Sequence, residues 1–301
     1  MKSLSDLAQE DVGRLMDFIK ELRKQGLSNG NIAREIERKF GVKISISTIK
    51  RWYYGKTNPF NKTKKIDLKP SPELSYIIGV VLGDGCIRIK DEYHYTICLK
   101  TKDKEFAEKF AECLRKLELK ARIRQESDSR RLRWVAEAYS KSLYMFLKQP
   151  LENLVKVAEK YPKEFLQGLF DSEGFSVVSA GKKLLVAIHF TNSNKDILNI
   201  VQKMLKERFN IDSKRYLCIA EGTLVKTPSG ISQASKDIYT LAIESRADIC
   251  RFTADIGFNI KRKQEKLVDA LELLIKHTSK EAAVVWKNSY RKERKEWVKV
   301  N

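Results

Sequence analysis

The chain has 301 residues, enough for two domains that each bury a core. Its 59 Lys and Arg against 39 Asp and Glu give a net charge of +20, which points to a polyanionic partner through counterion release from phosphates; a solvated Lys/Glu-rich surface explains many charges but not a one-sided balance. With three histidines and five scattered cysteines there is little material for a histidine triad, a zinc site or a disulfide framework. No apolar run approaches the ~20 residues of a bilayer span or forms a signal-peptide core, so an intracellular, cytoplasmic protein with no membrane partner is expected.

In chain order, Val12, Leu15, Met16, Ile19 and Leu22 fall at helical spacing, with Gly26 as a stop. Ser28 begins a second helix carrying Ile32, Ala33, Ile36 and Phe40, and Gly41 ends it. Ser47 is placed as the cap of a third, TIKRWYYG, closed by Gly55. Helix, turn, helix with a basic, aromatic last helix resembles a DNA-binding helix-turn-helix, in which Lys50, Arg51 and Tyr54 face the major groove while Ile49 and Trp52 pack inward. A three-helix module for protein contacts is the alternative. Prolines, asparagines and lysines over 56–70 make a basic linker.

From about residue 71 the chain repeats itself. SYIIGVVLGDG at 75–85 and EFLQGLFDSEG at 164–174 each read as an apolar helix ending in a small-acid-Gly turn. Each is followed by two strands, a helix, two strands and short helices, an α-β-β-α-β-β-α order repeated at about 90-residue spacing, which argues an internally duplicated α+β domain. KNSYRKERKEWVKV reads as a basic C-terminal helix. The expected boundaries are 1–62 for the helix-turn-helix, 63–72 for the linker, 73–160 and 161–277 for the two halves, and 278–301 for the terminal helix.

Gly79 and Gly83 in the first opening helix, and Gly168 and Ser172 in the second, are small residues four apart, a spacing that lets two helix backbones approach closely. Packed through those faces, the helices bring Asp84 and Glu173 to one end, already negative from the macrodipoles. Two carboxylates there repel each other unless a divalent cation binds between them, and hard oxygen ligands favour Mg²⁺. Residues 77–85, IIGVVLGDG, and 166–174, LQGLFDSEG, resemble two copies of the LAGLIDADG motif of homing endonucleases. The resemblance spans roughly 71–275 and implies a double-motif monomer. Its fold would be a duplicated LAGLIDADG core with pseudo-two-fold symmetry and two antiparallel DNA-binding sheets, plus the small all-α arm.

The resemblance also implies that Asp84 and Glu173 are the metal-binding acids, with Gly83 and Ser172 beside them in the metal set, and that Mg²⁺ is the cofactor, Mn²⁺ substituting. A polar residue where each half's second strand turns into its helix would hold water and metal. That is Asn192 in the second half, and Leu99 is taken as its first-half match, a departure that sets the two sites apart unless Lys100 or Lys102 reaches in. A basic residue ahead of the last helix carries over to Lys261, with Lys148 as the first-half candidate; the alternative for Lys261 is a phosphate contact without catalytic effect. Strand alternation turns Arg88, Lys90, His94, Thr96, Cys98 and Lys100 outward, and Arg122, Arg124, Gln125, Arg131 and Arg133 extend a basic face in the later strands, onto the DNA or as solvated sheet edges. CIAEGTLVKTPSG at 218–230 resembles an intein opening block, but it follows the motifs and is read as a strand-loop-strand insertion. The expected activity is a staggered double-strand break in a long, non-palindromic double-stranded DNA target. An inactive DNA-binding regulator and an intron RNA maturase are the alternatives.

Overall fold

Apolar residues at helical spacing build the first of two units, Met1–Lys65; the second is Ile66–Asn301. The computed structural model describes residues 7, 9–57, 66–90, 94–128, 131–227, 230–293 and 296–300. In the first unit, α1 (Gln9–Lys24), α2 (Asn29–Phe40) and α3 (Ile46–Tyr53) enclose Leu15, Ile19, Ile32, Ile36, Ile49 and Trp52. Ser28 Oγ accepts the Asn31 N–H at 3.3 Å and left-handed Gly41 closes α2, as expected. The third helix starts earlier than predicted. Val42 and Ile44 are buried, and Ser45, not Ser47, accepts the Thr48 N–H at 3.2 Å. Lys50 and Arg51 are exposed. Of the predicted linker, residues 63–65 lie outside the described residues, as do 58–62, and the unit boundary falls between 65 and 66.

The second unit holds both halves. The first runs α4 (Pro72–Leu82), β1 (Gly85–Lys90), β2 (His94–Thr101), α5 (Lys104–Lys116), β3 (Arg122–Asp128), β4 (Arg131–Tyr139), α6 (Lys141–Leu147) and α7 (Leu151–Ala158). The second runs α8 (Pro162–Glu173), β5 (Gly174–Ala180), β6 (Leu184–Asn192), α9 (Lys195–Phe209), β7 (Lys214–Ile219), an inserted hairpin of β8 (Leu224–Thr227) and β9 (Gly230–Gln233), then β10 (Ile238–Ile243), α10 (Arg246–Asp255) and α11 (Lys261–Lys276). The sheets are antiparallel, ordered β1-β2-β4-β3 and β5-β6-β10-β7, so the duplication holds strand for strand. The inserted hairpin overlaps the 218–230 segment but starts at Leu224, since Cys218 and Ile219 end β7 of the main sheet.

The halves meet along α4 and α8. A Cβ added at Gly79 would collide with the Phe165 carbonyl oxygen, and one at Gly168 would lie 2.5 Å from the Tyr76 carbonyl oxygen. Glycine at these two positions therefore sets the helix separation. One face of each sheet closes over this pair: Ile97, Leu99, Ala136 and Ala138 from the first, Ile188, Phe190, Leu241 and Ile243 from the second, all in one core.

The C-terminal segment departs from expectation. Only α12 (Ser279–Ser289) is helical; β11 (Tyr290–Glu293) and β12 (Glu296–Lys299) form a hairpin. Its aromatics decide this, since Tyr290 stacks on Trp286 with ring centroids 3.9 Å apart and Trp297 Nε1 donates to the Val178 carbonyl at 3.0 Å, folding the chain back onto β5.

Candidate active site

The two motif helices end side by side. A Cβ at Gly83 would lie 2.5 Å from Ser172 Cβ and 3.4 Å from Glu173 Cγ. Asp84 leaves α4 and Glu173 ends α8 at this junction. Burial raises the Asp84 carboxyl above the ordinary range against the pull of Lys263, and Asp103 raises it further. Glu173 is raised by burial and by the negative charge of Asp84, with Lys263 again opposing. These are two carboxylates close enough to feel each other at a doubly negative helix end, the electrostatic situation anticipated from the motif spacing. Ser172 Oγ donates to the Gly168 carbonyl at 2.9 Å, which holds its side chain against the helix.

Lysine at the site is Lys263, not Lys261. Lys261 is exposed at the start of α11, whereas Lys263 is buried and its Nζ donates to the carbonyls of Asp171 (2.6 Å), Gly174 (2.6 Å) and Phe170 (3.3 Å). Burial brings its ammonium down to about 8. The neighbouring Arg262 clamps Asp103 of the first half in a bidentate pair at 2.6 and 2.8 Å, which fixes the start of α11 against the start of α5. Beneath lies buried Asp171, accepting from Tyr76 Oη at 2.8 Å and from Asn259 N and Nδ2 at 2.9 and 2.8 Å, a second tie between the halves. Asp171 was missed in the sequence, where the signal was an acid inside an otherwise apolar run. Lys148 is exposed and lies over the Tyr144 ring; the residue at the third position of α7, where α11 has Lys263, is exposed Asn153.

The strand register replaces the match proposed for Asn192. Gly85 pairs with Leu99 and Gly174 with Phe190, so Leu99 corresponds to Phe190 and both are core residues. The counterpart of Asn192 is Thr101. Thr101 Oγ1 accepts the Asp103 N–H at 3.1 Å and Asn192 Oδ1 accepts the Asn194 N–H at 2.8 Å, each just ahead of a helix. Both halves therefore carry a polar residue at this position.

A cleft of about 330 Å³ opens beside Asp84, lined by Lys100, Thr101, Lys102, Asp103, Arg133, Asp171, Ser172, Arg262 and Lys263. Register places Arg88, Lys90, His94, Thr96, Lys100, Arg122, Arg124 and Arg133 on the face of the first sheet opposite its helices. Arg131 shares that parity, but its side chain lies outside the described residues. Thr96 is a correction: it is only 1% exposed, because the register sets its short side chain between Arg88 and Tyr139, and its hydroxyl donates to the His94 carbonyl. Cys98 is likewise outward in parity but covered, with its Sγ 3.3 Å from Cys86 Sγ. Gln125 pairs with Trp134 on the helix-facing side, not the outer one. Lys100 and Arg124 both pair with Glu126, at 2.7 and 2.6 Å, so part of the outer charge is internally neutralised.

Among the described residues there is no cluster of three His, Cys, Asp or Glu able to hold a metal. The donors are two carboxylates with nearby carbonyl oxygens, a set that suits Mg²⁺, which keeps several waters and takes one or two carboxylates together with substrate phosphates. No helix of the described residues is long and apolar enough to cross a membrane.

Two sheets hung from a glycine-packed helix pair, with an acid from each helix at its end, define a duplicated LAGLIDADG core. The chain belongs to the LAGLIDADG-like domain family, whose model matches residues 71–150 and 160–257. It is 41% identical over 279 residues to an uncharacterized protein of Methanocaldococcus jannaschii, covering 92% of this chain and 100% of that one. Similar solved structures include I-DmoI in complex with DNA and Mn (20% identity, 62% of this chain and 96% of that one, TM-score 0.42). Another is the homing endonuclease I-WcaI bound to its DNA recognition sequence (16% identity, 69% and 92%, TM-score 0.46).

Proposed function

We propose that the chain is a site-specific, divalent-metal-dependent DNA endonuclease that makes a staggered double-strand break in a long, non-palindromic target, with Mg²⁺ as the metal and Mn²⁺ able to substitute. The observation that carries this is the meeting of Asp84 and Glu173 at the end of the α4–α8 pair, beside a cleft with Lys100, Lys102 and Arg133 on its walls. Such a pair costs stability in the free protein and serves best where a cation and a phosphodiester arrive together. Asp84 and Glu173, with the carbonyls of Gly83 and Ser172, would hold the metal, which supplies charge to the scissile phosphate and a more acidic water.

The remaining roles belong to this chain's own groups. Lys263 neutralises the carbonyl end of α8 and so favours the ionised acids. Thr101 and Asn192 occupy matching polar positions, one per half, where each can orient water. Arg88, Lys90, His94, Lys100, Arg122, Arg124, Arg131 and Arg133 would bind the duplex on the first sheet, and Lys50 and Arg51 on the helix-turn-helix. The reading is tested by selecting cleaved members of a randomised duplex library with the full chain and Mg²⁺. One recurring, non-palindromic sequence cut on both strands is expected; tight binding to structured RNA without DNA cleavage would overturn it.

A further inference from the structure

The outer faces of the two sheets differ in charge. Both sheets hang from the α4–α8 pair with helices on their inner faces, so their outer faces form the remaining side of the duplicated core. The first outer face carries Arg88, Lys90, Lys100, Arg122, Arg124 and Arg133. The second sheet's register places Val177, Ser179, Thr191, Lys214 and Tyr216 at the positions of Arg88, Lys90, Lys100, Arg122 and Arg124, and Phe175, Leu185, Ala187 and His189 share that outer face. Phe175, Leu185 and Tyr216 are 42%, 62% and 45% exposed. Lys214, on that face, pairs with Glu244 at 3.0 Å. Exposed Lys182 and Lys183 sit in the turn joining β5 and β6, at the rim.

An apolar sheet face rimmed by lysines, continuous with a basic one, fits one feature of a duplex. Arginine and lysine pair with the O6 and N7 acceptors of guanine in the major groove, and the apolar group displayed there is the C5-methyl of thymine. We propose that the target is chemically polarised. The half-site under the first sheet is read through guanine acceptors. The half-site under the second is A·T-rich and read through thymine methyls by Phe175, Val177, Leu185 and Tyr216, while the rim lysines hold phosphates. This rests on the endonuclease reading and assigns specificity residues within it.

The test uses the full chain and the duplex its own selection yields. Thymine is replaced by deoxyuridine, which lacks the methyl, and guanine by 7-deazaguanine, which lacks N7, in one half-site at a time. Deoxyuridine in one half should weaken binding roughly fourfold for each contacted methyl lost, and 7-deazaguanine should act mainly in the other. In a Phe175→Ala/Leu185→Ala variant, checked for native circular dichroism, the deoxyuridine penalty should shrink at the positions those two side chains contact and the 7-deazaguanine penalty remain. A duplex that is bound and cut with no methyl dependence, with equal dependence in both halves, or with a penalty undiminished in the variant overturns this inference alone. A footprint confined to the first sheet's half overturns it too and leaves the apolar face to a protein partner. If no duplex is selected, the endonuclease reading falls and takes this inference with it.

Discussion

At the scale of single residues, the site is a contest between burial and charge. Burial raises the carboxyls of Asp84 and Glu173, helped by the charge of Asp103 at the first and of Asp84 at the second, so the folded protein holds their protons longer than the unfolded chain does. Stability therefore falls as pH rises through the window above their ordinary values, and the ionised pair is a net cost at neutral pH. Asp84→Asn should abolish double-strand cleavage, leave duplex binding largely intact, and raise the melting temperature slightly, by the equivalent of at most about 1 kcal/mol because the group is partly solvated. Glu173→Gln should do the same; full cleavage by either variant sinks the two-acid assignment. Lys263 has the opposite sign. Burial lowers its ammonium to about 8, so the unfolded chain binds more protons between there and the ordinary lysine value, and stability from this group rises with pH across that range. Its positive charge is what favours ionised acids below that point. Lys263→Met should therefore move the acid limb of the cleavage–pH profile upward, on the order of one pH unit, in addition to costing about 1–3 kcal/mol for three carbonyls left without a donor. A purely structural lysine would lower stability and leave the limb where it was. The acids were legible because the motif places them by spacing alone. Lys263 was not, because residues 261–263 read Lys-Arg-Lys and only the docking of α11 decides which of them turns inward.

At the scale of elements, the duplication was readable strand by strand, since it needs only the periods of helix and strand. Register was not. Counting from the motif put Leu99 opposite Asn192, but a two-residue error along a strand keeps the face and changes the neighbour, so parity gives no warning. The signal that could have corrected it is the shared pattern Thr101-x-Asp103 and Asn192-x-Asn194, a polar side chain taking the N–H two residues on, just ahead of a helix. The consequence is testable. Leu99→Gln puts an amide into a core position with 0% exposure and should cost about 2–4 kcal/mol without speeding cleavage of either strand. Thr101→Val should instead slow one strand while keeping stability within about 1.5 kcal/mol, so that nicked plasmid accumulates ahead of linear product. The reverse pattern would return Leu99 to the site. The terminal hairpin escaped for a related reason: a run rich in lysine and glutamate is compatible with a helix, and only the packing of Tyr290, stacked, and Trp297, edge-on, against Trp286 selects the two strands.

At the scale of the whole molecule, charge is divided between two units. Residues 1–65 hold 15 Lys and Arg against 7 Asp and Glu, leaving 44 against 32 in residues 66–301. The excess is therefore +8 in the small unit and +12 in the large one, a far higher density in the former. The first unit has its own core of Leu15, Ile19, Ile32, Ile36, Ile49 and Trp52, and both acids lie in the second. Removing residues 1–65 should therefore leave a folded chain that still cuts its target. What changes is the number of phosphates neutralised. Each lost contact lowers the slope of log affinity against log salt by about 0.9, so a helix-turn-helix placing Lys50, Arg51 and one or two further cations on phosphates should flatten the slope by about 2–4 and shorten the footprint. Measuring affinity of full-length and truncated chains across a salt series separates this from a loss of folding, which would abolish cleavage as well. An unchanged slope and footprint, with cleavage intact, would show that the first unit does not touch the duplex and that its exposed Lys50 and Arg51 serve another partner.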